Sequence, residues 1–472
     1  MTDTDVLIIG GGISGLATAW WLAQAGISVQ VWEADERIGG KIKSRQQDGY
    51  LTEQAASLLM NFRPEVAQLV HAAGLDEVKT RRTSQARAQR YLLHHGRLQA
   101  LPMRIGGLLT SPLWSLRGKL RLLLEPFIPA GGHDDESVSQ FIRRRLGDEM
   151  LEKAMEPFVA GTLSADPDLA SAGATLPRLT TLEHRFGSIT AGVLAHKLLR
   201  RRTACSTDTF SFRGGMSTLA NTLACTPGLQ ILSNRRVQEV APCRQGWRVT
   251  ATTPGGERSL SATHVIMATP APAAASLLAS VDKTLASLLG EIRYAPLAVL
   301  HMGFERTHID HPLDGTGFLT PRREQQPFSG NLWMSSLFAD RAPEGKALLT
   351  TYLGGARQPE AATWSDARLV DESLRALTPL LGLKGSPVMV RIDRHSQALP
   401  LYHGAHLARD RSISQQLHTL PGLHVEANFR GGVSVRDRIA RGRSLARHIC
   451  TQLQTNTRSL SADSLISLPA DR

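Results

Sequence analysis

Residues 5–15 read DVLIIGGGISG, and two physical readings of them lead to different proteins. No charged residue occurs from Val6 to Trp32, as in a signal peptide or a membrane span. The leader MTDTD is acidic, however, where a signal peptide carries a basic region. Glycines at 10, 11, 12 and 15 would also weaken a spanning helix at its start.

A strand reading accounts for more of the pattern. Val6 to Ile9 are apolar and mostly β-branched, the glycines follow, Leu16 to Ala25 has helical character, and Gly26 ends it. A second apolar run, Ile27 to Trp32, leads into Glu33. Gly10, Gly12 and Gly15 form Gly-x-Gly-x-x-Gly, and Glu33 lies 18 residues past the third glycine (33 − 15), the arrangement of a dinucleotide site. Gly10 permits the tight turn, Gly12 lets backbone approach a pyrophosphate, and Gly15 lets helix and strand pack closely. Together with Gly11, Ile13 and Ser14 they make the turn whose amides face phosphate. Glu33, followed by Ala34, accepts the ribose hydroxyls.

The next residues, ADERIGGKIKS, place Gly39 and Gly40 beside Arg37 and Lys41. A second backbone turn with a cation at the pyrophosphate favours FAD over NAD. The chain has no second Gly-x-Gly-x-x-Gly, so electrons are expected to come from a substrate and leave to oxygen or another acceptor, without NAD(P)H as donor.

Composition bounds the remaining choices. The 472 residues suffice for about three domains, and 42% hydrophobic with 20% charged residues is ordinary for a globular chain. Cysteines stand only at 205, 225, 243 and 450 without a CxxC pair, against a disulfide frame or a zinc site. A net charge of +12 favours anionic contacts, yet no basic tract with interleaved aromatics points to nucleic acid. Histidines 301, 308 and 311 lack metal-ligand spacing and read as loop residues, and no GxSxG elbow supports hydrolysis.

Further stretches resemble the FAD-dependent protoporphyrinogen/coproporphyrinogen oxidases, within the flavin amine oxidase group. They are LQALP (98–102), VSQFIRRRLGDEMLEKAMEPFVAGTLSADPDLAS (138–171), FSFRGGMSTLANTL (210–223), ALPLYHGAH (398–406) and NFRGGVSVRDRIARGRSLA (428–446). The likeness extends to about residue 450, and the EPFVAG block discriminates best. It implies an α/β fold: a discontinuous Rossmann-type FAD-binding domain (1–74, 206–285 and 393–455), a helical, membrane-facing substrate domain (75–205), a β-rich mixed-sheet substrate domain (286–392) and a flexible tail (456–472).

The resemblance also implies roles for particular residues. Val237 would lie on the adenine side, and Val433, Ser434 and Val435 would meet the isoalloxazine; Ala55, Ser57 and His395 belong to the same cofactor set. Gly161 and Leu319 would wall the substrate, and Arg104 would pair with a propionate. The chain departs from the family pattern at Lys41 (usually Arg), Ala55 (Gly), Gly106 (Arg), Thr316 (aromatic), His395 (Trp) and Ala427 (Gly).

The activity implied is removal of six electrons from a porphyrinogen in three hydride transfers to flavin N5, with oxygen as acceptor. No catalytic side chain and no metal are implied, since the flavin carries the chemistry. A related oxidase or desaturase acting on another large apolar substrate or an amine stays open, as does a flavoprotein or porphyrin carrier without turnover. A homodimer is an assembly open to such a chain. Residues 101–128 hold four cations and one acid among many leucines, which suits either a helix lying on anionic lipid or an amphipathic core helix with a solvated basic face. The expected location is cytoplasmic or peripheral at the inner membrane.

Overall fold

The structure, a computed structural model, describes residues 2–101, 107, 111–133, 135–199 and 208–466, with 198–199 and 456–466 described by backbone only. Arg104 and Gly106 lie outside the described residues.

The opening stretch forms strand β1 (Thr4–Ile9), helix α1 (Ile13–Gln24) and strand β2 (Val29–Trp32). β1 lies between β2 and the strand Gly256–Met267, parallel to both. Val6, Leu7 and Ile8 have no solvent exposure, because a parallel strand is covered on both faces and must be apolar on both. The sheet continues through Leu229–Leu232 beside β2, and through the antiparallel strands Gly246–Thr253 and Arg236–Cys243 on its other flank; Leu423–Val425 pairs with the end of Gly256–Met267.

The last helix, Val435–Ile466, packs along α1. A Cβ on Gly442 would stand 2.9 Å from Thr18 Oγ1 and 3.0 Å from Thr18 N, so glycine sets how closely the two helices approach. Trp21 Nε1 donates to Ile439 O at 3.1 Å. The helix passes the boundary at 455 and runs to Ile466, where the sequence suggested a loose tail. No Gly or Pro occurs between Gly442 and Pro469, so the polar composition there meets no helix breaker.

A second sheet, in the order Met389–Pro400, Tyr294–Glu305, Lys346–Gly354, Gly330–Trp333, Gly315–Leu319, Gln89–His94 and Arg97–Ala100, stands beside the first. Its last two strands come from the region expected to be helical. They form a hairpin across His95 and Gly96, both at positive φ (52° and 69°), the backbone that a two-residue turn between twisted strands demands. His301 lies in a buried strand of this sheet, donating to or accepting from Thr350 Oγ1 at 2.8 Å, and is not a loop residue.

The EPFVAG block forms Glu156–Leu163, entered through a π-helical turn, Leu151–Met155. Pro157 cannot donate to the carbonyl four residues back, and the wider turn absorbs that missing bond. Ahead of it, Val138–Leu146 starts at a capping box between Ser137 and Gln140.

Candidate active site

The glycine turn has the geometry that its sequence promised. Gly10 sits at φ +110°, where a Cβ would lie 3.1 Å from Ala268 O, and a Cβ on Gly15 would collide with Gly10 O. At Gly12, the residue preceding α1, a Cβ would meet nothing within 4 Å, leaving open space over the turn. Leu16 makes the first backward bond of the helix, to Gly12 O at 2.9 Å. The amides ahead of it, in Ile13, Ser14 and Gly15, belong to the helix start that offers N–H groups to an anion.

Glu33 is anchored from both sides, accepting from Gly11 N–H at 2.6 Å and Asp35 N–H at 2.9 Å. The 232–237 segment runs against it: Glu33 N–H bonds Leu232 O and Arg235 N–H bonds Glu33 O. Val237 packs in the same core as Trp32. Glu33, Ala34 and Val237 are thus brought to one end of the sheet, as an adenosine moiety would need.

The Gly39–Gly40 turn docks on the first turn through Gly39 N–H to Gly11 O at 2.8 Å, and a Cβ on Gly40 would stand 3.1 Å from Gly12 Cα. Its two cations are placed differently from the expectation. Arg37 folds back on its own turn, donating to Ile38 O at 2.6 Å, Ile42 O at 3.0 Å and Gly40 O. Lys41 crosses to the second sheet and donates to Gln397 O and Ala398 O, the latter at 2.7 Å. A buried ammonium needs acceptors close by, and these carbonyls supply them; burial still draws its pKa down to about 8.

His395 lies on Met389–Pro400 of the second sheet, not in the segment that closes the first. Its Nε2 donates to Gln54 O at 2.9 Å, beside Ala55, while Ser57 Oγ lies 3.3 Å from Tyr352 Oη. Residues 54–57 therefore pack on the second sheet, whose seam with the first is spanned by Lys41. Val433 and Ser434 precede the last helix, where Ser434 Oγ donates to Asp437, and Val435 packs with Leu16 and Ile439. The two helix starts, at Ile13 and Val435, converge on this seam.

The two expected wall residues meet. Gly161 faces Leu319 so closely that a Cβ there would stand 2.5 Å from Leu319 Cδ2 and 3.3 Å from Ser329 O. Arg357 fixes the approach by pairing with Glu156, at the start of the Gly161 helix, and donating to Thr320 O at 2.9 Å. Leu92 and Trp114 pack into the same cluster as Leu319.

Sequence reasoning passed over Tyr402. Its hydroxyl donates to Asn428 O at 2.6 Å and accepts from Gly432 N–H at 3.1 Å, while its ring stacks on His406 at 4.2 Å. It ties the ALPLYHGAH turn to the loop before Val433. Arg438 holds that loop from below, bound to Glu426 at 2.7 Å and to the Ala427 and Arg430 carbonyls. The tyrosine after the ALPL turn and the acid preceding Ala427 were the available signals.

An apolar face lies outside the seam. Leu116–Leu123 buries none of its residues, and Leu116, Leu120, Leu123 and Phe127 are 84%, 56%, 58% and 81% exposed. Spaced by four, three and four residues, they form one helical stripe. Glu125 behind the stripe is fully buried, accepting from Arg145, Ser188 Oγ and the Ile189 and Thr190 amides, so the segment is firmly held. Among the described residues no helix is long and apolar enough to cross a membrane.

Comparison with known proteins agrees with this geometry. Residues 13–430 match the family described as flavin containing amine oxidoreductase. The chain is 32% identical to protoporphyrinogen oxidase 2, chloroplastic/mitochondrial, of Arabidopsis thaliana, covering 95% of this chain and 94% of that protein. It is 28% identical to coproporphyrinogen III oxidase of Bacillus subtilis (strain 168), covering 95% and 98%. Among solved structures it superposes on a protoporphyrinogen oxidase candidate from Exiguobacterium sp. 255-15 with a TM-score of 0.78 at 24% identity, covering 95% and 99%. Putrescine oxidase bound to putrescine shares the fold at a TM-score of 0.69 and 19% identity, covering 95% and 99%. With a glycine turn opening a βαβ unit, an acid anchored beside it and a family match over most of its length, the chain belongs to the flavin-containing amine oxidoreductases and is an FAD-dependent enzyme of the protoporphyrinogen/coproporphyrinogen oxidase type.

Proposed function

We propose that this enzyme oxidises a porphyrinogen, protoporphyrinogen IX or coproporphyrinogen III, to its porphyrin in haem synthesis, with oxygen as acceptor. The observation that carries the reading is the match over at least 94% of each chain to relatives bearing both of those names. Bound FAD would accept the hydrides, three per macrocycle, and return the electrons to oxygen.

The chain's own residues hold and orient. The 10–15 turn and Glu33 would carry the pyrophosphate and ribose, with Ala34 and Val237 at the adenine. Residues 433–435, Ala55, Ser57 and His395 would surround the ring system. Gly161 and Leu319 would press one face of an apolar macrocycle, fixing its carbon against the reactive edge and keeping water out. Arg104 is proposed to meet a propionate. No side chain is assigned to proton transfer.

Aerobic assay of the holoenzyme with each porphyrinogen tests this: porphyrin fluorescence should rise together with peroxide. Peroxide-free binding would favour a carrier, and activity with neither porphyrinogen would favour another large apolar substrate.

The exposed Leu116–Phe127 stripe supports a second reading, peripheral contact with a lipid surface. Arg117, Lys119 and Arg121 interleave with the exposed leucines, the mix of interfacial helices.

A further inference from the structure

Where residues 61–63, the start of the last helix and the helical region meet, two guanidinium groups share one aromatic ring. Arg436 lies 5.2 Å from the Phe62 centroid and Arg178 lies 5.6 Å from it. Arg436 Nη1 also reaches Met60 Sδ at 3.7 Å. A third arginine, Arg63, is already engaged with Asp437 at 3.0 Å, and Asp437 further accepts from Ser434.

The charges do not balance. Three guanidinium groups gather around Phe62 with one carboxylate, Asp437, which Arg63 and Ser434 occupy; Arg436 Nε stands 3.9 Å from it. Among the described residues Arg178, an exposed side chain, has no carboxylate within ion-pair distance, its contact being the ring. Burial pulls the Arg436 guanidinium below its ordinary pKa; Asp437 acts the other way, and Arg178 and Arg63 lower it further. Stacking on Phe62 offsets part of that repulsion, and the start of the Val435–Ile466 helix adds a positive dipole. Two planar forks held on one ring suit a carboxylate, which guanidinium binds bidentately.

We propose that Arg178 and Arg436, mounted on Phe62, receive a carboxylate of the substrate. Arg436 directly follows Val435, at the helix start that converges on the seam, and Arg178 is brought in by Pro177–Phe186 of the helical region. The pair therefore bridges the cofactor side and the helical side, where one edge of a carboxylated macrocycle would emerge. The assignment rests on the porphyrinogen reading for the ligand's identity. It adds a determinant of preference: substrates carrying a carboxylate at that edge are held, and neutral analogues are not.

Equilibrium fluorescence titration of the FAD-loaded enzyme with coproporphyrin III and with its tetramethyl ester separates this site from turnover. Wild type should bind the acid at least about tenfold more tightly than the ester. R178Q and R436Q should each narrow the gap, and the double variant should narrow it at least about threefold, the share of Arg104 remaining, with ester affinity unchanged. Because Arg178 is exposed, R178Q keeps the test valid if R436Q fails to fold; R436K should restore part of the preference, which a purely structural role would not predict. A preference unaltered in R178Q and the double variant overturns the assignment, as does a wild type that does not discriminate or does not bind the acid. Intact discrimination with lost binding to anionic vesicles would make the occupant lipid phosphate and also overturn it. If wild type oxidises no porphyrinogen yet loses its acid preference in the variants, the reaction reading fails and the carboxylate site stands.

Discussion

Gly161 faces Leu319 at a distance that leaves no room for a methyl group, a Cβ on the glycine falling 2.5 Å from Leu319 Cδ2. The helix from Glu156 and the strand ending at Leu319 are therefore in contact through a missing side chain. G161A is expected to displace Leu319 and lower kcat/KM for a porphyrinogen at least about tenfold, with FAD content unchanged. G161A/L319A should recover part of the loss, since contacting sites couple. Steady-state kinetics on the three variants measures the coupling; strictly additive effects would show that the two residues do not form one wall.

Glu33 holds two backbone amides, those of Gly11 and Asp35. E33A would leave the buried Gly11 N–H without its acceptor, at a cost of about 1–3 kcal/mol, while the exposed Asp35 N–H turns to water, and would remove the ribose acceptor. Purified E33A should carry markedly less FAD, with E33Q intermediate. Flavin absorbance per mole of protein measures this, and full occupancy in E33A would contradict the assignment.

Tyr402 bridges Asn428 O and Gly432 N–H. Y402F keeps the ring on His406 but leaves both backbone groups without their partner, so a loss of about 1–3 kcal/mol in stability is expected. Urea unfolding of the variant and wild type under identical FAD loading reads the difference.

Much of this site was visible in the sequence where a single short segment determines it. Gly10 and Gly15 are required by local backbone geometry, and Glu33 lies in the same βαβ unit, so spacing alone located them. The destination of Lys41 was not legible, because its acceptors at Gln397 and Ala398 are more than 350 residues away and are backbone carbonyls without a residue-type signal. The bonds of Arg37 were hidden for a related reason: a cation beside a glycine turn can serve a ligand or the turn's own carbonyls, and the two look alike in sequence. The hairpin Gln89–Ala100 escaped because its turn is His95-Gly96, outside the usual Asn-Gly and Asp-Gly pairs. The contact of Gly161 with Leu319 depended on the family likeness, since the two positions are 158 residues apart (319 − 161).

Glu53 gives a pH signature. It is buried, and burial raises its pKa from 4.5 to about 7, although Arg341, Ser44 and the Met216 amide act to lower it. The native state then keeps a proton that the unfolded chain releases, so this group's stabilising effect is complete below about pH 4.5 and lost as pH rises through 7. The expected decline is on the order of 3 kcal/mol. E53Q keeps one acceptor oxygen, which can serve the Met216 N–H, does not titrate, and should lack the decline. Unfolding midpoints of both proteins from pH 4.5 to 7.5 should converge or cross across this window; a constant difference would rule out Glu53 as the titrating group.

The exposed leucine stripe predicts lipid association. Flotation with vesicles rich in anionic lipid should retain wild type and lose an L116Q/L120Q/F127Q variant. These side chains are exposed, so the variant should unfold at an unchanged temperature, and equal flotation of the two proteins would remove the stripe from any docking role.

Delivery of electrons from a porphyrinogen to FAD held on the 10–15 turn is read by anaerobic mixing of the holoenzyme with protoporphyrinogen IX or coproporphyrinogen III while the flavin's visible band is followed. Bleaching of that band with stoichiometric loss of porphyrinogen, reversed on admission of oxygen, is the predicted result. A band unchanged by either porphyrinogen, in protein fully loaded with FAD, would contradict it.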